Sequence, residues 1–151
     1  MINKNKGFIA GLVAVLLAVA TSVSVAEQSQ DFGEYVVHFN AITTDMLPPK
    51  VAREYRIPRS KNRAMLNIVV LQKVLGTAGQ PVTATVKARA TNLTGQMRDI
   101  PLREIKEPYA IYYIGDFPVS NEETLDFELE VTPEGQKKPL NVRFRQQFFT
   151  G

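Results

Sequence analysis

Residues 124–149 read TLDFELEVTPEGQKKPLNVRFRQQFF, and this stretch decides the fold. Apolar and charged residues alternate on both sides of a polar turn at 133–138, which is typical of two antiparallel strands that each bury one face. We predict strands over Thr124–Thr132 and Pro139–Phe149. Pairing the end of the first strand with the start of the second places apolar residues opposite apolar residues and acids opposite arginines. The expected pairs are Val131–Leu140, Leu129–Val142, Phe127–Phe144, Glu128–Arg143 and Asp126–Arg145.

The chain before this hairpin also consists of short runs rich in Val, Ile, Thr, Phe and Tyr, separated by turn residues. A second hairpin is predicted from Ala64–Leu75 and Pro81–Leu93, the first apolar on both sides like a central strand and the second alternating. Further strands are expected at Gly33–Ile42, Met97–Ile105 and Tyr109–Phe117.

One helical signal is present between these strands, and it is short. Pro49 suits the first position of a helix, Val51 and Tyr55 would share one face, and Ile57-Pro58 ends it. The whole pattern therefore predicts an all-β fold, an immunoglobulin-like antiparallel β-sandwich of about seven strands with one short helical turn.

The start of the chain predicts where the protein works. Lys4 and Lys6 precede the apolar run FIAGLVAVLLAVA at residues 8–20, and small residues occupy the positions before a cleavage point after Ala26. This order is typical of a secretory signal peptide. We expect residues 1–26 to be removed on export.

The alternative for the same segment is an uncleaved membrane anchor. The twenty uncharged residues from Gly7 to Ala26 just reach the length of a membrane span, although the strongly apolar part is shorter. With cleavage, residues 27–151 form a single β-sandwich domain, and nothing in them is apolar for long enough to span a membrane. No cysteine follows the apolar run, which excludes a lipid-anchored N-terminal cysteine.

Composition excludes several classes of function. The chain has 18 basic and 15 acidic residues, a formal net charge of +3 that falls to +1 without Lys4 and Lys6. Neither this charge nor export favours nucleic acid as a partner. The absence of cysteine excludes thiol chemistry and thiolate metal sites. His38 is the single histidine, so we expect no metal centre and no cofactor.

Residues 53–63, REYRIPRSKNR, concentrate positive charge against one acid, Glu54. The five basic residues of this basic segment are Arg53, Arg56, Arg59, Lys61 and Arg63. If residues 59–63 are extended, their three basic side chains lie on one side, a spacing that suits a carboxylate, phosphate or sulfate. The competing interpretation is a solvated loop whose arginines pair with the chain's own carboxylates.

Four segments carry a family resemblance. In chain order they are FGEYVVHFNAITTDML, YRIPRSKNRAMLNIVVL, ATNLTGQ and AIYYIGDFPVSNEETLDFELEVTPEG. Together they resemble a family of small exported proteins from Gram-negative bacteria that is catalogued as a domain of unknown function. The resemblance implies a periplasmic location, and it implies no activity and no functional residue.

Three hypotheses about function follow. We expect a non-catalytic periplasmic binding or accessory module that captures an envelope anion or a carboxylate through the basic segment. The second hypothesis is an envelope assembly or chaperone-like factor that pairs a sheet edge with a periplasmic partner protein. The third is a hydrolase that uses His38 with a nearby carboxylate, although no spacing identifies a nucleophile.

Overall fold

Ten strands and one short α-helix make up residues 27–151, the part of the chain that the computed structural model describes. The signal peptide predicted over 1–26 lies outside these residues. The strands are β1 (Gln28–Asp31), β2 (Tyr35–Thr43), β3 (Arg63–Gln72), β4 (Gln80–Pro81), β5 (Ala84–Asn92), β6 (Met97–Ile100), β7 (Arg103–Glu107), β8 (Ala110–Pro118), β9 (Glu123–Pro133) and β10 (Leu140–Phe148). A 3-10 turn at Thr44–Met46 and the helix α1 (Pro49–Glu54) lie between β2 and β3.

The strands form two antiparallel sheets, as predicted. Sheet A has the order β1-β2-β3-β8-β7, with β4 paired to β3, and sheet B has the order β10-β9-β5-β6. The number of strands exceeds the predicted seven because β1 and β4 are too short to show alternation and Pro101 divides the expected 97–105 strand into β6 and β7. The immunoglobulin-like topology stays a prediction. No helix in this part of the chain is long and apolar enough to cross a membrane.

The C-terminal hairpin has the predicted register. Arg143 faces Glu128 and Arg145 faces Asp126 on the solvent side, while the apolar residues of both strands meet on the other side. Arg145 donates to both carboxylate oxygens of Asp126, at 2.6 Å from Nε and 2.9 Å from Nη2. This pair lowers the pKa of the Asp126 carboxyl below its ordinary value.

The second predicted hairpin is present only next to its turn, where β4 pairs with the end of β3, Leu71 with Pro81 and Gln72 with Gln80. The rest of the predicted second strand is β5, and its pairing with β3 was wrong. β3 lies in sheet A between β2 and β8, whereas β5 lies in sheet B between β9 and β6. The chain passes from sheet A to sheet B at residues 82–83, between β4 and β5. β3 is buried on both faces and β5 on one, so the two strands need different surroundings and do not pair.

The core between the sheets is centred on phenylalanines. The Phe127 ring of β9 stacks on Phe144 at a centroid distance of 4.6 Å and meets Phe117 of sheet A edge to face at 5.8 Å. Phe144 also lies 4.6 Å from Phe39 of β2, which places β10 beneath β2. These offset and edge contacts add to the stability that burial of the rings supplies.

A second apolar cluster covers the outer face of sheet A. It consists of residues from the 42–57 connection and from the strands beneath: Ile42, Leu47, Ala52, Tyr55, Ile57, Met65, Ala110, Tyr112 and Ile114. This cover explains why β3 is apolar on both faces. It also means that the basic segment is fixed to the sheet at its apolar positions.

Gly115 of β8 is required by a close crossing of the chain. Residues 100–102 pass from sheet B to sheet A directly against it, and a Cβ at this position would collide with the carbonyl oxygen of Pro101 and lie 2.9 Å from a methyl carbon of Leu102. Backbone cannot yield as a flexible side chain can, so only glycine fits here.

We expect Gly115→Ala to lower the free energy of unfolding by about 2 kcal/mol, because the added methyl group overpacks the crossing. Chemical denaturation followed by circular dichroism measures the change. Gly151→Ala is the control, since its added Cβ would meet only the side chain of Asn121 at 3.3 Å. Equal unfolding midpoints for the two variants would contradict the steric role of Gly115.

Candidate functional site

The basic segment lies across the outer face of sheet A with its apolar residues buried and most of its charges exposed. Tyr55 and Ile57 are only 6% and 5% exposed and pack in the outer apolar cluster. Arg56 lies between them, Arg53 lies two residues before Tyr55, and both arginines are exposed. The surface therefore presents guanidinium groups on a backbone that packing holds in place.

The end of α1 has an unusual residue in its turn. Ile57 N–H donates to the Ala52 carbonyl at 2.8 Å, and Arg56 between the helix and Ile57 has φ of 55°. This is the hydrogen-bond pattern of a Schellman motif, in which the left-handed position is usually glycine. An arginine there costs about 1 kcal/mol relative to glycine. The sequence pattern predicted where the helix ends but not this conformation.

Arg59 stabilises the connection between β2 and β3 by hydrogen bonds to backbone carbonyls near the start of that connection. Its Nε donates to the Leu47 carbonyl and its Nη2 to the Asp45 carbonyl, both at 2.7 Å. Thr44 supports the same fold of the chain, because its hydroxyl donates to the Pro58 carbonyl at 2.7 Å and accepts from Ser60 N–H at 2.9 Å. Two of the Arg59 donors are therefore committed to the protein.

Residues 59–63 do not form the extended row that the sequence suggested. Lys61 and Asn62 form a turn before β3 begins. Arg63 is half-buried and binds Asp116 of β8, with Nη2 2.6 Å and Nε 2.8 Å from Oδ2. The spacing of two requires a continuous strand, and the turn interrupts it. Arg63 thus pairs with the chain's own carboxylate, as the competing interpretation expected.

The structure brings together a different set of three arginines. Arg53, Arg56 and Arg59 line an open hollow of about 440 Å³ whose other walls are Pro49, Ala52, Ile57 and Pro58. We call it the basic hollow. No carboxylate lines the basic hollow. Within residues 27–151 neither Arg53 nor Arg56 has an ion pair, and Lys61 and Arg63 lie outside the hollow.

Polar groups that sequence reasoning missed lie under the same connection. Tyr55 donates its hydroxyl to Glu107 of β7, and Arg103 donates to the Tyr55 carbonyl. Burial, followed by the Glu107 carboxylate, raises the pKa of Tyr55 far above its ordinary value. The same two causes raise the pKa of Tyr112, which is 2% exposed, to about 12.

Two asparagines next to this group are also placed on the outer face. Asn40 of β2 faces Asn67 of β3 across the sheet. The side-chain oxygens of both, like the hydroxyl of Tyr112, have no hydrogen bond within residues 27–151. Asn67 in the apolar run MLNIVVL is the one signal in the sequence that marks this position. Such groups destabilise the fold unless something else satisfies them.

His38 lies at the β1 side of the sheet, away from the basic hollow. Its Nδ1 is 3.0 Å from Glu27 Oε1 without the alignment of a hydrogen bond, and Ser29 of β1 lies opposite it in the register. No hydrogen bond joins Ser29 to His38 within residues 27–151. The hydrolase hypothesis thus gains a carboxylate neighbour but no activated nucleophile.

The described residues hold no group of three or more His, Cys, Asp and Glu side chains placed to bind a metal ion. Together with one histidine and no cysteine in the whole sequence, this donor set does not fit a centre built from imidazole and thiolate ligands.

Comparison with known proteins places this geometry in a family. Residues 29–151 match the model of a domain of unknown function, DUF4426. The chain belongs to the DUF4426 family. This confirms the resemblance found in the sequence. A crystal structure of a DUF4426 family protein from Pseudomonas aeruginosa PAO1 is 34% identical to this chain with a TM-score of 0.71, and the match covers 83% of this chain and 96% of that one. None of the curated proteins matches the chain.

Two structures of FetP from uropathogenic Escherichia coli strain F11 have the same fold. One is the protein as isolated after recombinant expression in the periplasm of E. coli, with 12% identity and a TM-score of 0.58 over 82% of this chain and 94% of that one. The other is a copper-bound variant, with 13% identity and a TM-score of 0.59 over 83% and 97%. At this level of sequence identity, FetP and the present chain are similar in fold alone.

We expect Arg59→Met to lower the free energy of unfolding by about 1.5 kcal/mol, because two hydrogen bonds from a charged donor to the Asp45 and Leu47 carbonyls are lost. Denaturation with urea measures the loss. Lys61→Met is the matched control, since Lys61 is exposed and makes no contact of this kind. An Arg59→Met protein as stable as the control would show that these bonds add nothing.

Tyr112→Phe should raise stability at pH 7 slightly, because it removes a buried hydroxyl that has no hydrogen bond within the described residues. The folded pKa of about 12 lies above the unfolded value near 10, so the unfolded state releases the proton first and stability falls as the pH rises from 10 to 12. The variant should lose this part of the alkaline decline in denaturation curves between pH 8 and 11.5.

The contrasting variant is Tyr113→Phe. The Tyr113 hydroxyl donates to Glu104 and accepts from Ala84 N–H, both at 2.8 Å, so its removal should lower stability at pH 7 as well. Equal losses at pH 7 for both variants would show that the Tyr112 hydroxyl is bonded after all.

Proposed function

We propose that this protein is a periplasmic, non-catalytic binding module that captures an anionic group, a carboxylate or a phosphate, at the basic hollow. The observation that carries the proposal is the left-handed backbone of Arg56. It turns the chain at the end of α1 so that Arg56, Arg53 and Arg59 share one hollow. Residues that keep a costly local conformation concentrate at functional sites.

The charges of the hollow support an anion as its ligand. Arg53 and Arg56 offer planar forks of N–H donors that suit carboxylate and phosphate oxygens. Arg59 keeps Nη1 in addition to the two donors that bind carbonyls. Three positive charges without a carboxylate between them repel one another, and a bound anion would relieve that repulsion.

The walls of the hollow strengthen this attraction. Ala52 and Ile57 are buried beneath the arginines, and Pro49 and Pro58 border them. Apolar walls reduce the dielectric screening that weakens ion pairs on an open surface. The hollow is nevertheless open to solvent, so we expect weak, reversible and salt-dependent binding.

The periplasmic part of the proposal rests on the sequence and on the family. The first 26 residues have the pattern of a signal peptide, and the family resemblance is to exported proteins. FetP, which has the same fold, was expressed in the periplasm. An envelope polymer or a peptide carboxylate would be the available anions there.

Arg56→Gly separates binding from stability. Glycine adopts the left-handed turn without strain, so we expect the free energy of unfolding to rise by about 1 kcal/mol. The same change removes one guanidinium from the hollow and should weaken phosphate binding at least threefold. Thermal denaturation and a phosphate titration measure the two effects. Arg56→Lys keeps the charge and should largely keep binding.

Glu122→Gly is the matched control for this variant. Glu122 is the other described non-glycine residue with positive φ, at 60°, and does not line the hollow. The control should gain stability and bind phosphate as the unmodified protein does. An Arg56→Gly protein that binds phosphate as before would remove the hollow as the binding site.

The binding itself can be followed on the arginine Nε–H signals in nitrogen-15 spectra. With inorganic phosphate or succinate at constant ionic strength, the signals of Arg53 and Arg56 should shift and saturate. Arg145, which already holds Asp126, should not shift. Parallel, unsaturated shifts that include the exposed Arg143 would show screening by salt in place of a site.

A further inference from the structure

On the side of β10, sheet A extends one strand further than sheet B. β10 lies beneath β2, because Phe144 contacts Phe39 and the Gln146 side chain donates to the Ala41 carbonyl at 2.6 Å. β1 extends sheet A by one strand beyond β2. Sheet B has no strand beneath β1 within residues 27–151. All four residues of β1 are exposed as a result.

β10 therefore has a free edge. It is nine residues long and, in the described part of the chain, pairs only with β9. The other outer strands are shorter: β1 and β6 have four residues each and β7 has five. A free edge presents unpaired N–H and C=O groups, to which an extended chain can add as a further strand.

A row of alternating charges crosses the solvent face of sheet B and ends at this edge. The register aligns Asp99 of β6, Arg89 of β5, Glu128 of β9 and Arg143 of β10. Glu128 lies between the two arginines, with its oxygens 3.7 Å from Arg89 Nε and 3.6 Å from Arg143 Nη2. The sign alternates at every step, and the last member is positive.

Arg143 is the open end of this row. Its side chain is 80% exposed, and it shares Glu128 with Arg89. Arg145, the other arginine on β10, is already bound at two points to Asp126. A strand added to β10 would thus meet one arginine whose charge is only partly matched. Opposite charges directly across two strands stabilise the pairing, and like charges destabilise it.

We propose that the free edge of β10 binds an extended segment of a partner protein as a fifth strand of sheet B, with an acidic side chain opposite Arg143. The acid continues the alternating row by one step. Backbone hydrogen bonds supply the affinity, and the acid fixes the register. This interaction is separate from anion capture at the basic hollow, which lies on the other sheet.

β1, which extends beyond β10, determines which residues suit the inward face of the partner segment. Gln28 and Gln30 pair with Phe39 and Val37, so their side chains are on the face of sheet A that looks toward sheet B. A strand on β10 would lie beneath these amides. Its inward residues should therefore be small and polar, such as Ser or Thr, and its outward residues acidic.

The test uses a fluorescent nine-residue peptide in which Thr and Glu alternate, with a Thr/Lys peptide of the same length for comparison. Fluorescence anisotropy should show the acidic peptide binding about fivefold more tightly than the basic one. Arg143→Glu should reverse that order. Lys61→Glu makes the same change in net charge at an exposed site on sheet A and should leave the order unchanged.

Amide hydrogen exchange locates the bound peptide. Added protection should fall on alternate amides of β10. Equal binding of both peptides, the same preference in Arg143→Glu, or protection on β1, β6 or β7 would each overturn the proposal. Dimers of the protein alone that the peptide dissociates, detected by sedimentation velocity, would show that a second copy of this chain occupies the edge, and would overturn the assignment to a partner protein.

Discussion

The burial of β3 on both faces is the constraint on which the rest of the structure depends. One face packs on sheet B and its phenylalanines, so the other needs a separate cover. The connection from β2 supplies it, with Tyr55 and Ile57 pressed onto the strands. Because every third residue from 53 to 59 is an exposed arginine, covering β3 also arranges positive charge on the outside. The basic hollow is thus a consequence of how the core is closed.

The sequence predicts the pairing of two strands where the residues on both faces of the pair require the same register. In the C-terminal hairpin the apolar and the charged residues required one register, and that register is present. The sequence of β3 does not specify a partner or a register in this way, because a strand that is apolar on both faces can pair with any of several strands. Proximity along the chain then favoured residues 81–93, of which only Pro81 in the short β4 pairs with β3, whereas its long neighbours are β2 and β8.

The site was harder to predict than the fold, because its decisive contacts join distant parts of the chain. Arg59 binds backbone carbonyls of Asp45 and Leu47, which no residue pattern reveals, and Arg63 binds a carboxylate 53 residues away. The left-handed backbone of Arg56 is equally hidden, since glycine is the usual signal for it. The charge row of sheet B becomes visible only once the strand order places β6 beside β5.

The crossing at Gly115 gives the sandwich a mechanical asymmetry. At that side the backbone itself joins the two sheets, through residues 100–102. Along the side of β1 and β10 no covalent connection of the described chain joins them, and the sheets are held there by side chains alone. All three backbone connections between the sheets within residues 27–151, at residues 82–83, 101–102 and 119–122, join strands other than β1, β2 and β10. On the side of β10 the attachment of one sheet to the other therefore depends on side-chain packing, and substitutions there would loosen the sandwich without any backbone connection to compensate.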